Sequence, residues 1–246
     1  MRSEGSDVVL LTCADGGRAG WLRVHGSRRR PAVSQVAGAG VATVPVPARP
    51  GREDVDPVLV GEPRRVIVAG TDADLAAVLV RLLRTERNAR VEVAYLPVGR
   101  SPATRAWGLP VGAAAGPLAL DGRAVPVPLV RDDSGGVLVG RGEIAGLYGE
   151  VYCDDVLVLR GATPRLVVAP TPAGVAVRAG RGRRLPDGSV RPVPQTSRAG
   201  RGAAVGRAVQ VGCRPSWVVT DGLTHPRLVP RWTWFRHTSD WLLVRP

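Results

Sequence analysis

Val66-Ile67-Val68-Ala69-Gly70-Thr71-Asp72-Ala73-Asp74-Leu75 opens the stretch that decides the fold, Arg65 to Pro110. Four apolar residues end at a glycine, and a helical pattern follows. Leu75, Val78, Leu79, Leu82 and Leu83 recur at the i, i+3, i+4, i+7, i+8 spacing that lines one helix face. Arg81, Arg84, Glu86 and Arg87 fall mainly on the other face. A second apolar run, Val91 to Leu96, leads into Pro97-Val98-Gly99, and the stretch closes on Gly108-Leu109-Pro110. Strand, glycine turn, helix and strand make one β-α-β unit. Both turns follow the carboxyl ends of their strands, where open α/β sheets bind ligands.

Around this unit, the 246 residues suffice for one large or two small domains with a substantial core. Aromatic residues are only 4% of the chain, so Val, Leu and Ala must fill that core. The 31 glycines and 22 prolines argue for many turns and against a helical bundle. No apolar run approaches the roughly 18 residues of a membrane-crossing helix. Met1 to Asp7 holds no apolar region, so no signal peptide is expected. Cys13, Cys153 and Cys213 are isolated, which fits a reducing cytoplasm and neither a disulfide framework nor a zinc site.

The net charge is +13 and every basic residue is Arg. One explanation is a polyanionic partner, either nucleic acid or an anionic membrane surface. The other is the codon bias of a GC-rich genome, which replaces Lys by Arg. Bias explains the identity of the basic residues but does not by itself set the excess of charge. The absence of Lys excludes a Walker A loop and Schiff-base chemistry, since both need the Lys amine.

Taken in order, Val8 to Leu11 reads as a first strand and Asp15 to Gly20 as a flexible turn. Arg28 to Pro50 shows no clear helical period, with a short strand over Val41 to Val46. Beyond Leu118 the texture changes. Val125 to Val130, the turn Arg131 to Gly136, and Val137 to Gly140 read as strand, turn and strand. Further strands are expected at Val156–Leu159, Leu166–Val168, Val175–Arg178 and Ala208–Val211, with a mobile basic loop between Gly180 and Gly202. Trp232 to His237 and Trp241 to Val244 read as a closing hairpin. The expected fold is therefore α/β: an N-terminal Rossmann-like domain over residues 1–120, then a β-rich, sandwich-like domain over 121–246 that carries the basic loop 178–207 and a Trp-rich hairpin.

Four segments resemble the diacylglycerol kinase catalytic-domain family of lipid kinases. Val68 to Leu75 stands where that family has a strand followed by G-G-D-G-T. Leu96 to Gly99, running through Arg105-Ala106-Trp107-Gly108-Leu109-Pro110, resembles its P-L-G-T-G-N-D-F-A-R-x-L-G-L-P. Val127 to Ile144 resembles the strand pair that begins its second domain, and Val218 to Leu223 the late segment ending in D-G-E. The resemblance implies transfer of the ATP γ-phosphate to a lipid hydroxyl. It assigns Asp72 and Asp221 to catalysis and to Mg²⁺, and Gly70, Thr71, Asp72, Gly99 and Arg100 to the nucleotide. It also implies a cytoplasmic protein working peripherally at an anionic membrane that holds its lipid.

The departures point the other way. Of G-G-D-G-T only Gly70 and Asp72 remain, and Asp74 puts a carboxylate where triphosphate would lie. Arg100-Ser101-Pro102 replaces T-G-N with one residue absent, and Leu223 replaces the acid of D-G-E. The alternatives to an impaired lipid kinase are a non-catalytic scaffold that binds nucleotide, lipid or protein, and a nucleic-acid-binding protein using Arg28–Arg30 and the 178–207 loop. Each signal also has a plainer explanation. Gly70 to Asp74 reads equally as a capped strand-to-helix turn. Asp132-Asp133 and Asp154-Asp155 read as solvated turns. His25, His225 and His237 are too scattered for a metal site. Trp232 and Trp234 share one strand face with Phe235 opposite. They serve either as an interfacial belt beside Arg231 and Arg236 or as filling for an aromatic-poor core.

Overall fold

The computed structural model describes residues 7–14, 31–180, 182–184, 190–192 and 203–246. It divides into two compact units, Met1–Val127 with Ser239–Pro246, and Pro128–Thr238. The first runs β1 (Val8–Cys13), α1 (Pro31–Gly38), β2 (Ala42–Val46), α2 (Arg52–Val60), β3 (Arg65–Gly70), α3 (Asp72–Arg84), β4 (Glu92–Pro97), α4 (Pro102–Trp107), α5 (Ala115–Asp121), β5 (Arg123–Val127) and a closing strand, Trp241–Arg245. Its sheet has the order β2-β1-β3-β4-closing strand-β5. All neighbours are parallel except the last pair.

Every residue of β3 is buried, as expected of a central parallel strand covered on both faces. Leu10, Ile67, Ala69, Ala94 and Leu96 meet Ala32 and Val36 of α1 and Ala115 and Ala119 of α5 on one face. By the period of two, Val66, Val68, Val93 and Tyr95 face the other way. In α3, Leu75, Val78, Leu79 and Leu82 are buried as their spacing predicts, and Leu83 is half-buried. The Arg81 guanidinium forks onto Asp56 of α2 at 2.9 and 2.8 Å and is raised above its ordinary pKa, chiefly by those hydrogen bonds. At the amino end of β3, buried Arg65 holds Glu92 at 2.7 Å and donates to the carbonyls of Ala119, Leu120 and Gly122, anchoring the end of α5. The strand order reverses between β1 and β3, the position where sheets of this kind open a crevice beyond their carboxyl ends.

The second unit comprises β6 (Val130–Asp132), β7 (Val137–Leu138), β8 (Gly142–Cys153), β9 (Val156–Thr171), β10 (Gly174–Ala179), β11 (Gly182–Arg184), β12 (Val190–Pro192), β13 (Ala203–Gly206), β14 (Ala208–Ser216), β15 (Val218–Thr220), β16 (Leu223–Thr224) and β17 (Val229–Arg236). The main antiparallel sheet follows the order β13-β10-β9-β8-β14-β17-β6-β7, with the β15–β16 hairpin attached to β8. Its core gathers Ile144, Leu147, Val151, Leu166, Val177, Val209 and Val211 around Trp232 and Trp234. The two indoles pack edge to face at 6.1 Å. Gly142 lies flat against one of them, since a Cβ there would stand 2.7 Å from Trp234 Cζ2.

Several expectations are corrected. The closing hairpin does not form: Trp232 lies in β17 beside β14, while Trp241–Arg245 crosses to the first unit and inserts between β4 and β5. The division accordingly falls at Val127 rather than near 120, and the tail joins the first unit. Val125 to Val127 belongs to the first sheet, so the expected hairpin is Val130–Asp132 with Val137–Leu138. The strands expected at Val156–Leu159 and Leu166–Val168 are one strand, β9. Helix α1 occupies a stretch read as lacking helical period, because only Ala32 and Val36 are buried on it. Trp232, Trp234 and Trp241 fill cores, which removes them from any interfacial belt, and Trp241 packs edge to face on Trp107 at 6.1 Å. The turn at Asp15 to Gly20, Arg28–Arg30 and most of the 180–202 loop lie outside the described residues. Ala203–Gly206, at the end of the 178–207 segment, is strand β13.

Candidate functional site

The carboxyl ends of β3 and β4 bring Gly70, Thr71, Asp72, Gly99 and Arg100 to one end of the first unit's sheet. The Val98 amide donates to the Gly70 carbonyl at 3.1 Å, which holds the loop after β4 against the turn after β3. Thr71 caps α3, and its hydroxyl accepts from the Asp74 amide at 3.3 Å. Asp74 answers from the third helical position. Its Oδ2 accepts from the Thr71 amide at 2.7 Å and the Thr71 hydroxyl at 2.8 Å. Its Oδ1 accepts from the Arg49 amide at 2.7 Å, at the end of the β2–α2 connection. Asp74 is only 2% exposed.

The same arrangement crowds Gly70. A Cβ on Gly70 would stand 2.6 Å from Asp74 Oδ2 and 2.9 Å from Asp74 Cβ. The glycine makes room for the chain's own carboxylate. A helix amino terminus draws anions because its first amides are unpaired and its dipole is positive there. Here a buried carboxylate already takes that role.

Asp72 is turned inward as well. Its Oδ1 accepts from the Tyr95 hydroxyl at 3.0 Å and its Oδ2 from the Ala103 amide at 3.0 Å, in a buried setting. The residue therefore joins the start of α3 to β4 and to the start of α4. Ser101 caps α4 and exchanges hydrogen bonds with Thr104 at 2.8 and 3.1 Å. Gly99 and Arg100 remain exposed, and a Cβ on Gly99 would meet nothing within 4 Å.

Asp221 belongs to the second unit. With Gly222 it forms the two-residue turn of the β15–β16 hairpin, at φ of 50° and 85°. Positive φ at both positions is what a type I′ turn requires and what an Asp-Gly pair supplies. Its carboxylate accepts from the amides of Val139, Gly140 and Arg141 at 2.8, 2.8 and 2.9 Å. It pins the hairpin to the chain entering β8. Asp132 works similarly in its own turn. It is buried rather than solvated, and its Oδ1 accepts from the Ser134 amide and hydroxyl and the Gly136 amide.

Among the described residues no group of three or more His, Cys, Asp or Glu side chains is placed to hold a metal ion. At the end of β3, Asp74 occupies the space beside Gly70. Each Asp72 oxygen accepts one hydrogen bond from a buried donor.

No protein-family profile and no curated protein matches the sequence. Solved structures do. A Bacillus anthracis Sterne protein provisionally named a diacylglycerol kinase superposes with a TM-score of 0.68 at 11% identity, covering 98% of both chains. A diacylglycerol kinase of the same organism gives 0.65 at 12% identity, covering 98% of this chain and 97% of that one. An NAD kinase of Archaeoglobus fulgidus, solved in complex with ATP, gives 0.55 at 12% identity over 97% of this chain and 93% of its own. No helix among the described residues is long and apolar enough to cross a membrane. The chain has the diacylglycerol kinase fold, carried end to end by a sequence far removed from the kinases that share it.

Proposed function

We propose that this protein is a kinase-fold binding protein that has given up phosphoryl transfer, with a lipid or a lipid surface as its partner. The observation that supports this most is the Asp74 carboxylate seated over Gly70 and bonded to Thr71 and Arg49. Phosphoryl transfer is mostly positioning and charge neutralisation, so a loop that repels the phosphates removes its main source of rate. The same reading gives Asp72 and Asp221 positioning roles, as acceptors that tie elements together.

An active lipid kinase is the second reading. It draws on the fold itself, on ATP in the Archaeoglobus fulgidus structure, and on the open, exposed loop at Gly99 and Arg100. Mg²⁺ would then be supplied with the nucleotide.

Titration calorimetry with Mg·ATP separates the two. The binding-protein reading expects no heat at millimolar nucleotide from the wild type. Binding by the wild type that weakens in Asp72→Ala, followed by lipid phosphorylation, would overturn it.

A further inference from the structure

The second unit has no helix among its described residues, so the outer face of its main sheet has no helical layer of its own over it. Strand register fixes which side chains share that face. On β8, Tyr148, Glu150 and Tyr152 alternate with the buried Leu147, Val151 and Cys153, and so point away from the core. Gln210 pairs with Tyr152 and Gly212 with Glu150, and one further step of that register sets Arg214 beside Tyr148. The Arg214 guanidinium indeed lies 4.5 Å from the centroid of the Tyr148 ring. Thr233 and Arg231 of β17 continue these rows beside Gln210 and Gly212, and Arg160 of β9 flanks Glu150 on the other side. Tyr148, Tyr152, Arg160, Arg214 and Arg231 thus share one face of the adjacent strands β9, β8, β14 and β17.

The middle of this face is low. Gly212 is exposed, and a Cβ there would meet nothing within 4 Å. Tyr148 is 47% exposed, and Tyr152 follows it on the same strand at about 14 Å. Leu157 lies opposite Tyr152 at the rim. One acid belongs to the area, Glu150, and it is already held by Arg160 at 2.9 Å and by the Tyr152 hydroxyl at 3.1 Å. Glu143, further along β8, is held by Arg141 and Arg165. Arg214 and Arg231 are exposed and make no ion pair with a described residue. Over residues 128–238 arginines outnumber acids two to one.

We propose that this face binds single-stranded nucleic acid. Unpaired bases offer flat π-faces, which stack on Tyr rings and on guanidinium planes with little regard to sequence. The exposed guanidiniums match the phosphates that run between those bases. A duplex keeps its bases stacked inside and would leave the two Tyr rings unused. An acidic protein would meet the same charges, but the centre of the face offers a glycine and an ion pair where a protein interface gathers apolar anchors. Binding here needs neither nucleoside triphosphate nor lipid, so its test is independent of the β3 end.

The test is fluorescence anisotropy of the full chain with a labelled oligothymidine of about 16 nucleotides, set against duplex DNA of the same length and against polyglutamate. The wild type is expected to bind the single strand more tightly than either. Tyr148→Ala is expected to weaken that binding on the order of tenfold while the melting temperature stays the same. Arg214→Gln and Arg231→Gln are each expected to weaken it severalfold and to lower the salt slope by about 0.7. A wild type that leaves the single strand unbound overturns the proposal. So does a Tyr148→Ala protein, or an Arg214→Gln protein, that binds like the wild type. Equal binding of the duplex overturns it in favour of charge alone, and tighter binding of polyglutamate in favour of an acidic protein.

Discussion

At the end of β3 four carboxylate oxygens point inward and are met by amides and hydroxyls of the same chain, whereas between β14 and β17 Trp217, Leu223 and Leu228 are exposed. The first region lies where sheets of this kind bind ligands, and the second is only a connection between strands. A binding loop works by leaving donors unmet until its ligand arrives. At β3 the carboxylates of Asp72 and Asp74 meet such donors from within the chain, which makes this end a structural joint.

If the β3 end is a joint, breaking it must cost stability. Asp74→Ala removes the acceptor of the Thr71 and Arg49 amides and leaves buried donors unpaired. A loss of about 2–3 kcal/mol is expected from urea titration. A change below about 0.5 kcal/mol, the usual range of a surface substitution, would mean that the carboxylate is not structural.

A smaller, pH-dependent effect belongs to His237, the residue after β17. Its pKa is lowered from 6.5, first by burial and second by the Arg131 guanidinium. The unfolded chain therefore takes up this proton before the folded one as pH falls. Stability is at its full value above the ordinary pKa. It declines with acidification through the window below 6.5, and the decline stops once the folded ring is protonated as well. Replacing His237 by Asn is expected to flatten the stability profile in that window and leave it unchanged above neutrality.

The smallest stability effect is expected from the exposed region. Trp217→Ser should move stability by less than Asp74→Ala does, since half of the Trp217 surface is exposed. If it destabilised the protein as much as Asp74→Ala, the contrast between a closed site and an open surface would fail.

Much of the architecture was legible because it is written locally. The continuous apolar run of β3 and the five-position stripe of α3 needed no distant information, and Asp-Gly at 221–222 is a hairpin signal in itself. Helix α1 was hidden because it buries just two side chains, Ala32 and Val36, too few to show a period. The closing strand was misassigned because nothing in Trp241 to Arg245 says which sheet it will join. The motif positions at Gly70, Asp72 and Gly99 were visible, but the hydrogen bonds made by Asp72 and Asp74 were not. Those bonds depend on Arg49 and Ala103, which lie 25 and 31 residues from the carboxylates they meet. The crowding of Gly70 by Asp74 did have a signal, an acid at the third helical position after a Thr cap, which is also the pattern of a capping box.

The insertion of Trp241–Arg245 between β4 and β5 makes the first unit discontinuous in the chain. Until those residues leave the ribosome, β4 has a bare edge, β5 has no partner and Trp107 lacks the ring it packs against. The second unit, whose strands are contiguous from 128 to 238, can complete its own pairing first. The unit that contains β1 to β5 is therefore the last to close during synthesis, and the bare edge of β4 is a site for unwanted strand pairing until it does.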